Sequence, residues 1–443
     1  MEKRRAMQIF IFRQGVALGL CALAAGRCLA GPALETALDW AAAALPGAVP
    51  TRQAGAPHQG LVAALSGAGS DAPWLVPGGS SGLMSAHFVS DVHQVDSSGM
   101  VRWRAGFGWR DGPRATSSFE GSMLALATGS SELYASVERR HWGPGWVGSL
   151  ILDASAPALP ALGWRRGGHF PEGIGTGGFG LSVPWTADVF IAQLQGHTEP
   201  RRPMLIGTRL QFSPSPRLSI GLSRTMQWGG KGRDQSLNSL VGGLLGRDNL
   251  GASGVNRSNE PGNQLAGVDW HWRSAAPGGP SWYGQVIGED EAGLLPSKNM
   301  FLLGVDADLA SRAREARLFF EAADTTAGAL RTDPAFGAAY RHHAFRQGYT
   351  HAGAPLGHPI GGDIRLASVG LVLRSGPWGG MAAASAGRAA PTAQRFAAGP
   401  VRAVNLSIRG DNVAGGQIGA GLWWASDRPA RRGAAQVWWQ HCR

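Results

Sequence analysis

The chain has 443 residues, including 67 Gly, 17 Trp and only 4 Tyr, and 16% of its residues are charged. Abundant Trp and recurring apolar positions exclude a disordered chain. A bundle of membrane helices is also excluded, because no stretch after residue 30 stays apolar for the ~20 residues of a helical span; the best, Ile364 to Ala386, is interrupted by Arg365, Arg374 and Pro377. The net charge of +11 comes from 41 basic and 30 acidic residues, with Lys only at positions 3, 231 and 298. A basic, Arg-dominated balance attracts anionic partners. A genome biased toward Arg codons explains Arg over Lys equally well, but not the excess of charge.

The first element in chain order is an export signal over residues 1–30. Lys3, Arg4 and Arg5 precede an apolar stretch from Gly15 to Gly26, and Cys28-Leu29-Ala30 offers small residues at a cleavage site before Gly31. Cleavage leaves 36 basic and 29 acidic side chains, a net +7. It also leaves Cys442 as the single cysteine, so neither an internal disulfide nor a Cys-based metal site is expected. Residues 31–82 form a short helical and irregular segment. Ala33, Leu34, Ala37, Leu38, Ala41 and Leu45 have helical spacing that stops at Pro46-Gly47, and Leu61 to Leu65 suggests one further helical turn.

From residue 83 to 443 the pattern is period two. In Val101 to Arg110 one face is Val101, Trp103, Ala105, Phe107 and Trp109, and the other includes Arg102, Arg104 and Arg110. Val268, Trp270 and Trp272 oppose Asp269, His271 and Arg273; Phe301, Leu303, Val305 and Ala307 oppose Asp306 and Asp308; Leu318 and Phe320 oppose Arg317 and Glu321. Roughly 17 to 19 such segments follow one another, each a strand with one apolar and one polar face. No blade-length repeat supports a propeller. A long series of dyad strands after an export signal is the signature of an all-β, transmembrane antiparallel β-barrel in the bacterial outer membrane. Trp suits its two interfaces, and Gly suits strands that bend or pack closely.

Four segments in order carry a family resemblance. They are Glu138-Arg139-Arg140-His141-Trp142-Gly143-Pro144-Gly145-Trp146; Leu222-Ser223-Arg224-Thr225-Met226-Gln227-Trp228-Gly229-Gly230; Asn259-Glu260-Pro261-Gly262-Asn263-Gln264-Leu265 after Gly246-Arg247-Asp248-Asn249; and Tyr340-Arg341-His342-His343 with Gly348-Tyr349 and Pro355-Leu356-Gly357-His358. Together they span residues 138–363 and resemble the capsule assembly Wzi family. The resemblance implies a barrel of about 18 strands with a small helical N-terminal element on its periplasmic side. It also implies lectin-like holding of capsular polysaccharide at the cell surface. Residues 31–82 depart from the family's N-terminal pattern.

The candidate binding residues are polar and aromatic side chains, Arg above all, in or beside these segments. Arg139, Arg140 and Trp142 combine guanidinium forks, which clamp acidic sugars, with a plane on which sugar rings stack; bracing of the barrel wall through Glu138 is the alternative. Arg224, Gln227, Trp228, Lys231 and Arg233 stand where a strand enters a loop from Gly229 to Asn263. Loops of that length are functional or mobile. Leu237, Leu240, Val241, Leu244 and Leu245 suggest a short helix in it, serving as a gate or cradle, or filling the lumen as a plug. Tyr340, His342 and Tyr349 complete the set. His342, His343, His351 and His358 match no zinc spacing, so no metal or other cofactor is expected. Glu289, Asp290 and Glu291 form no glycosidase pair, since adjacent strand positions face opposite ways, and no nucleophile elbow occurs. The expected function is therefore non-enzymatic: anchoring of an acidic capsular polysaccharide or exopolysaccharide by a monomer embedded in outer-membrane lipid, without nucleic acid. A porin-like channel for anionic solutes or oligosaccharides is the alternative.

Overall fold

The alternation becomes one antiparallel sheet. A computed structural model of the chain describes residues 59–67, 84–96, 99–110, 116–119, 122–170, 183–244, 262–276, 278–292, 295–309, 315–375, 378–411, 416–427 and 430–442. The export signal and the Ala-rich segment lie outside them. The strands are β1 (Gln59–Gly67), β2 (Met84–Asp96), β3 (Gly99–Arg110), β4 (Thr116–Ser118), β5 (Met123–Thr128), β6 (Ser131–Glu138), β7 (Leu159–Phe170), β8 (Val183–Gln193), β9 (Met204–Ser215), β10 (Leu218–Trp228), β11 (Gly262–Arg273), β12 (Ser281–Ala292), β13 (Leu295–Asp308) and β14 (Glu315–Asp324). A two-residue hairpin of β15 (Thr350–His351) and β16 (Ala354–Pro355) stands apart from the sheet, which continues as β17 (Ile364–Ser375), β18 (Trp378–Ala389), β19 (Gly399–Asp411), β20 (Gly416–Asp427) and β21 (Ala430–Cys442).

Among the described residues nineteen strands belong to the one sheet. Successive strands pair antiparallel, with two exceptions. The short β4 pairs only with β3, which also pairs with β5, and β14 pairs directly with β17. β1 pairs with β2 on one side and with β21 on the other, which brings the two ends of the strand series together. This corrects the helical turn expected at Leu61 to Leu65. A short apolar run reads as helix or strand by periodicity alone, and here two neighbouring strands satisfy its backbone. Sheet therefore begins before residue 83. The broken apolar stretch from Ile364 to Ala386 is the β17–β18 hairpin, and among the described residues no helix is long and apolar enough to cross a membrane.

The faces are those of an inside-out protein. On β13 and β14, Leu303 and Phe320 are 56% and 51% exposed, whereas Asp306 and Glu321 are 3% and 2% exposed. On β11 and β12 the exposed side chains Trp272 and Trp282 sit opposite each other across the ladder, while Asp269, His271, Tyr283 and Gln285 face inward and are buried. An apolar exterior around a polar interior is the arrangement a bilayer stabilises and water does not.

The hydrophobic core lies on the inner face, between the strands and two connections folded against them. Leu150, Ile151 and Leu152 from 139–158 and Tyr340, Tyr349 and Leu356 from 325–363 pack on Tyr134, Phe190, Leu205, Tyr283 and Leu302 of the strands. Glycine makes room for such packing. Gly304 faces inward beneath the Tyr283 ring, which an added Cβ would strike. Gly221 lies under a two-pronged pair in which Arg209 Nη1 and Nη2 donate to Asp269 Oδ2 and Oδ1 at 2.6 and 3.0 Å.

Candidate functional site

The long connections gather at one end of the sheet, where β6, β8, β10, β14 and β18 finish. They are 139–158, 194–203, 229–261, 325–363 and 390–398, with two-residue links at 293–294 and 428–429 among them, while the other end carries links of two residues at 129–130, 216–217 and 376–377 and one of twelve at 171–182. The one described helix, α1 (Leu237–Leu244), also lies here, as its leucine spacing predicts. Ser236 caps it: its hydroxyl accepts from Ser239 N at 3.2 Å, and its carbonyl accepts from Leu240 N at 3.0 Å. Leu240 packs against the cluster of Ile206, Met226 and Trp228, while Leu237 and Val241 are exposed.

Segment 139–158 is tied to the inner wall by polar side chains of the strands. Gln285 Oε1 accepts from Leu150 N at 2.7 Å, and Gln285 Nε2 donates to Trp142 O at 2.7 Å. The Glu321 carboxylate accepts from Trp146 N at 2.7 Å, Val147 N at 3.2 Å and Tyr283 OH at 3.1 Å. Asp153 pairs with His141 at 3.2 Å. Burial works to raise its carboxyl, but the bonds to His141 and Ser155 outweigh burial and hold it below the ordinary carboxylate range. Segment 325–363 docks in turn on the first. Tyr340 OH donates to Leu150 O at 2.7 Å, Tyr340 N donates to Glu289 Oε1 at 2.6 Å, and Tyr349 OH bonds Thr225 Oγ1 at 2.8 Å. Burial pushes the imidazoles of His351 and His358 down to about 4, against the attraction of Asp153 in the case of His358. Both rings are therefore neutral near pH 7.

The ten residues singled out from sequence separate into two groups. Trp142, Arg140, Gln227, Trp228, Tyr340 and Tyr349 are buried. Arg140 lies over the Phe190 ring at 4.3 Å, and Trp142 meets the same ring edge-on at 5.4 Å. Gln227 Nε2 donates to Gly348 O at 3.0 Å, and Trp228 Nε1 donates to Ser239 Oγ at 3.2 Å. Arg139 and Arg224 are half-buried and turned to protein. Arg139 Nη1 donates to the carbonyls of Ala154 and Ala156, while Arg224 Nε donates to Gln264 Oε1 and its Nη2 to Gly243 O at the end of α1. These eight brace the connections. Arg233 and His342 stand nearer the surface, beside exposed Lys231 and His343. The Arg233 guanidinium lies 5.3 Å from the centroid of Phe345, and the His342 ring lies 5.6 Å from it.

Sequence reasoning passed over Gln285 and Glu321, since one polar residue on a strand's inner face gives no signal of what it will hold. It also passed over Arg201, Arg202 and Arg346, although the run Pro200-Arg201-Arg202-Pro203 was a visible pair of charges between prolines. Among the described residues no group of three His, Cys, Asp or Glu side chains is arranged to hold a metal ion.

Comparison with known proteins bears on this arrangement. The uncharacterized 55.8 kDa protein in the cps region of Klebsiella pneumoniae is 41% identical over 187 residues, which cover 42% of this chain and 36% of that relative. The solved structure of Escherichia coli Wzi superposes with a TM-score of 0.72 at 23% identity, covering 92% of this chain and 89% of that one. It is described as an outer-membrane, carbohydrate-binding β-barrel involved in group 1 capsule assembly. A sequence profile for capsule assembly protein Wzi matches residues 68–373, more than half of the chain, and the chain therefore belongs to the capsule assembly protein Wzi family.

Proposed function

We propose that this protein is a non-catalytic outer-membrane barrel that binds an acidic capsular or exopolysaccharide and holds it at the bacterial surface. The observation that carries the reading is the inside-out sheet with its longest connections, 139–158, 229–261 and 325–363, at one end, in a chain of the capsule assembly family. Outer-membrane barrels carry their longer loops outside and their short turns in the periplasm. The end bearing 139–158, 229–261 and 325–363 is then the outer face, and the barrel closes through the pairing of β1 with β21. The described E. coli relative, a carbohydrate-binding barrel of the same fold, supports the substrate class. The basic excess supports an acidic polymer, whose repetition lets many weak contacts add up to firm retention.

Deleting the gene should leave polymer synthesis intact and shed polymer into the medium. Cell-free and cell-bound polysaccharide measured side by side test this, and unchanged retention on the deletion strain would sink the reading.

A further inference from the structure

We propose that the acidic polymer is held on a preorganised basic face where the connections 194–203, 229–236 and 340–349 cross. The proposal rests on the polysaccharide reading above and names the part of the outer end that does the holding. The three backbones are fixed to one another. Lys231 N donates to Arg201 O at 2.8 Å within a β-bridge, and Arg346 N donates to Glu199 O at 3.1 Å. Glu199 N donates to Gln347 Oε1 at 3.2 Å. Pro200 lies against Gly230, where an added Cβ would come within 2.8 Å of the Pro200 Cβ.

On this frame Arg201, Arg202, Lys231 and Arg346 are exposed, with Arg233 partly exposed on Phe345 and the His342–His343 pair beside it. Arg202 holds a left-handed backbone, φ 53°, a conformation uncommon outside glycine and kept where the surroundings enforce it. Among the described residues no carboxylate pairs with Arg201, Arg202 or Lys231, whereas Glu199 is matched by Arg346 at 2.8 Å and Asp234 bonds Ser236. The face is left with uncompensated positive charge beside the His342 and His343 rings. Guanidinium forks take carboxylates two-pronged, and a rigid frame lowers the ordering cost of binding. The occupant that fits is a uronate-bearing polysaccharide strand, its carboxylates on Arg201, Arg202 and Lys231. Arg140, Trp142, Gln227, Tyr340 and Tyr349 act beneath as support.

The test uses the full chain in detergent micelles, with a polyuronate such as alginate as the probe and neutral dextran as the control. Wild type should bind polyuronate in preference to dextran, and more weakly as salt screens the charges. The pair Arg201→Gln with Arg202→Gln should weaken binding about tenfold, and Lys231→Gln by a smaller factor. Arg217→Gln, exposed in the turn at the opposite end, should change nothing, and none of these should alter the heat-modifiable gel shift. Full affinity in both the double variant and Lys231→Gln would overturn this site while leaving the polysaccharide reading intact. Equal binding of dextran, equal weakening by Arg217→Gln, or preference for lipopolysaccharide vesicles over polyuronate would also overturn it. Failure of wild type to bind both polyuronate and the polymer of its own cell would overturn the reading beneath it.

Discussion

At the residue scale, the glycine content has a local cause. Gly304 and Gly221 face inward, where a neighbouring strand sends a large side chain across the backbone. Gly304→Val would force the Tyr283 ring away and break its bond to Glu321, which also holds Trp146 and Val147. Overpacking costs about 1–3 kcal/mol, so the folded band on an unheated gel should convert at a lower temperature than that of wild type. Asp269→Asn tests the other site. The Arg209–Asp269 pair is about nine-tenths buried, and removing one partner leaves the other charge unmatched, at a cost of roughly 3–5 kcal/mol. Its unfolding midpoint in denaturant should fall clearly below that of Arg217→Gln, which serves as a surface control.

At the element scale, the two inward connections carry buried groups that make their packing sensitive to acid. His351 and His358 are neutral in the folded chain, with values near 4, and ordinary when unfolded, near 6.5. Between these values the unfolded chain binds more protons, so stability is full above about pH 6.5 and declines as pH falls toward 4. The slope is about 1.4 kcal/mol per pH unit for each ring fully in its window. Asp153, held low in the folded state, works in the same direction at the acid end. Protease should therefore cut 325–363 faster at pH 5 than at pH 7, with the strands untouched. His358→Asn should flatten that dependence. An equal cutting rate at both pH values would contradict the burial argument.

At the scale of the whole molecule, the packing of 139–158 and 325–363 against the inner face argues for a filled interior rather than an open pore. The purified protein in a planar bilayer should give no steady current, and stable anion-selective openings would instead favour the channel that the sequence left open. Charge is also arranged at this scale. Inner-wall cations such as Arg209 and Arg317 are paired with Asp269, Asp306 and Asp308, so the unmatched part of the basic excess among the described residues includes Arg201, Arg202 and Lys231 at the end that bears the longest connections.

Much of the fold was legible because a strand's two faces follow directly from its alternation. Asp306 and Glu321 point inward and Leu303 and Phe320 outward, as the period-two pattern required. α1 was legible for the same kind of reason, through its 3.6-residue spacing. β1 was not, because a short apolar run carries no period that separates helix from strand, and its neighbours in the sheet lie at both ends of the chain. The candidate binding residues were the least legible. Arg140, Trp142, Tyr340 and Tyr349 have the chemistry of sugar contacts, and only packing turned that chemistry inward. Sequence by itself determined the inside-out strands, the basic balance and the family motifs, since each is a property of neighbouring residues or of their sum. Tertiary structure alone decided which arginines meet a carboxylate and which meet solvent, because that depends on contacts between segments such as 198–202, 231–233 and 345–347, which lie far apart along the chain.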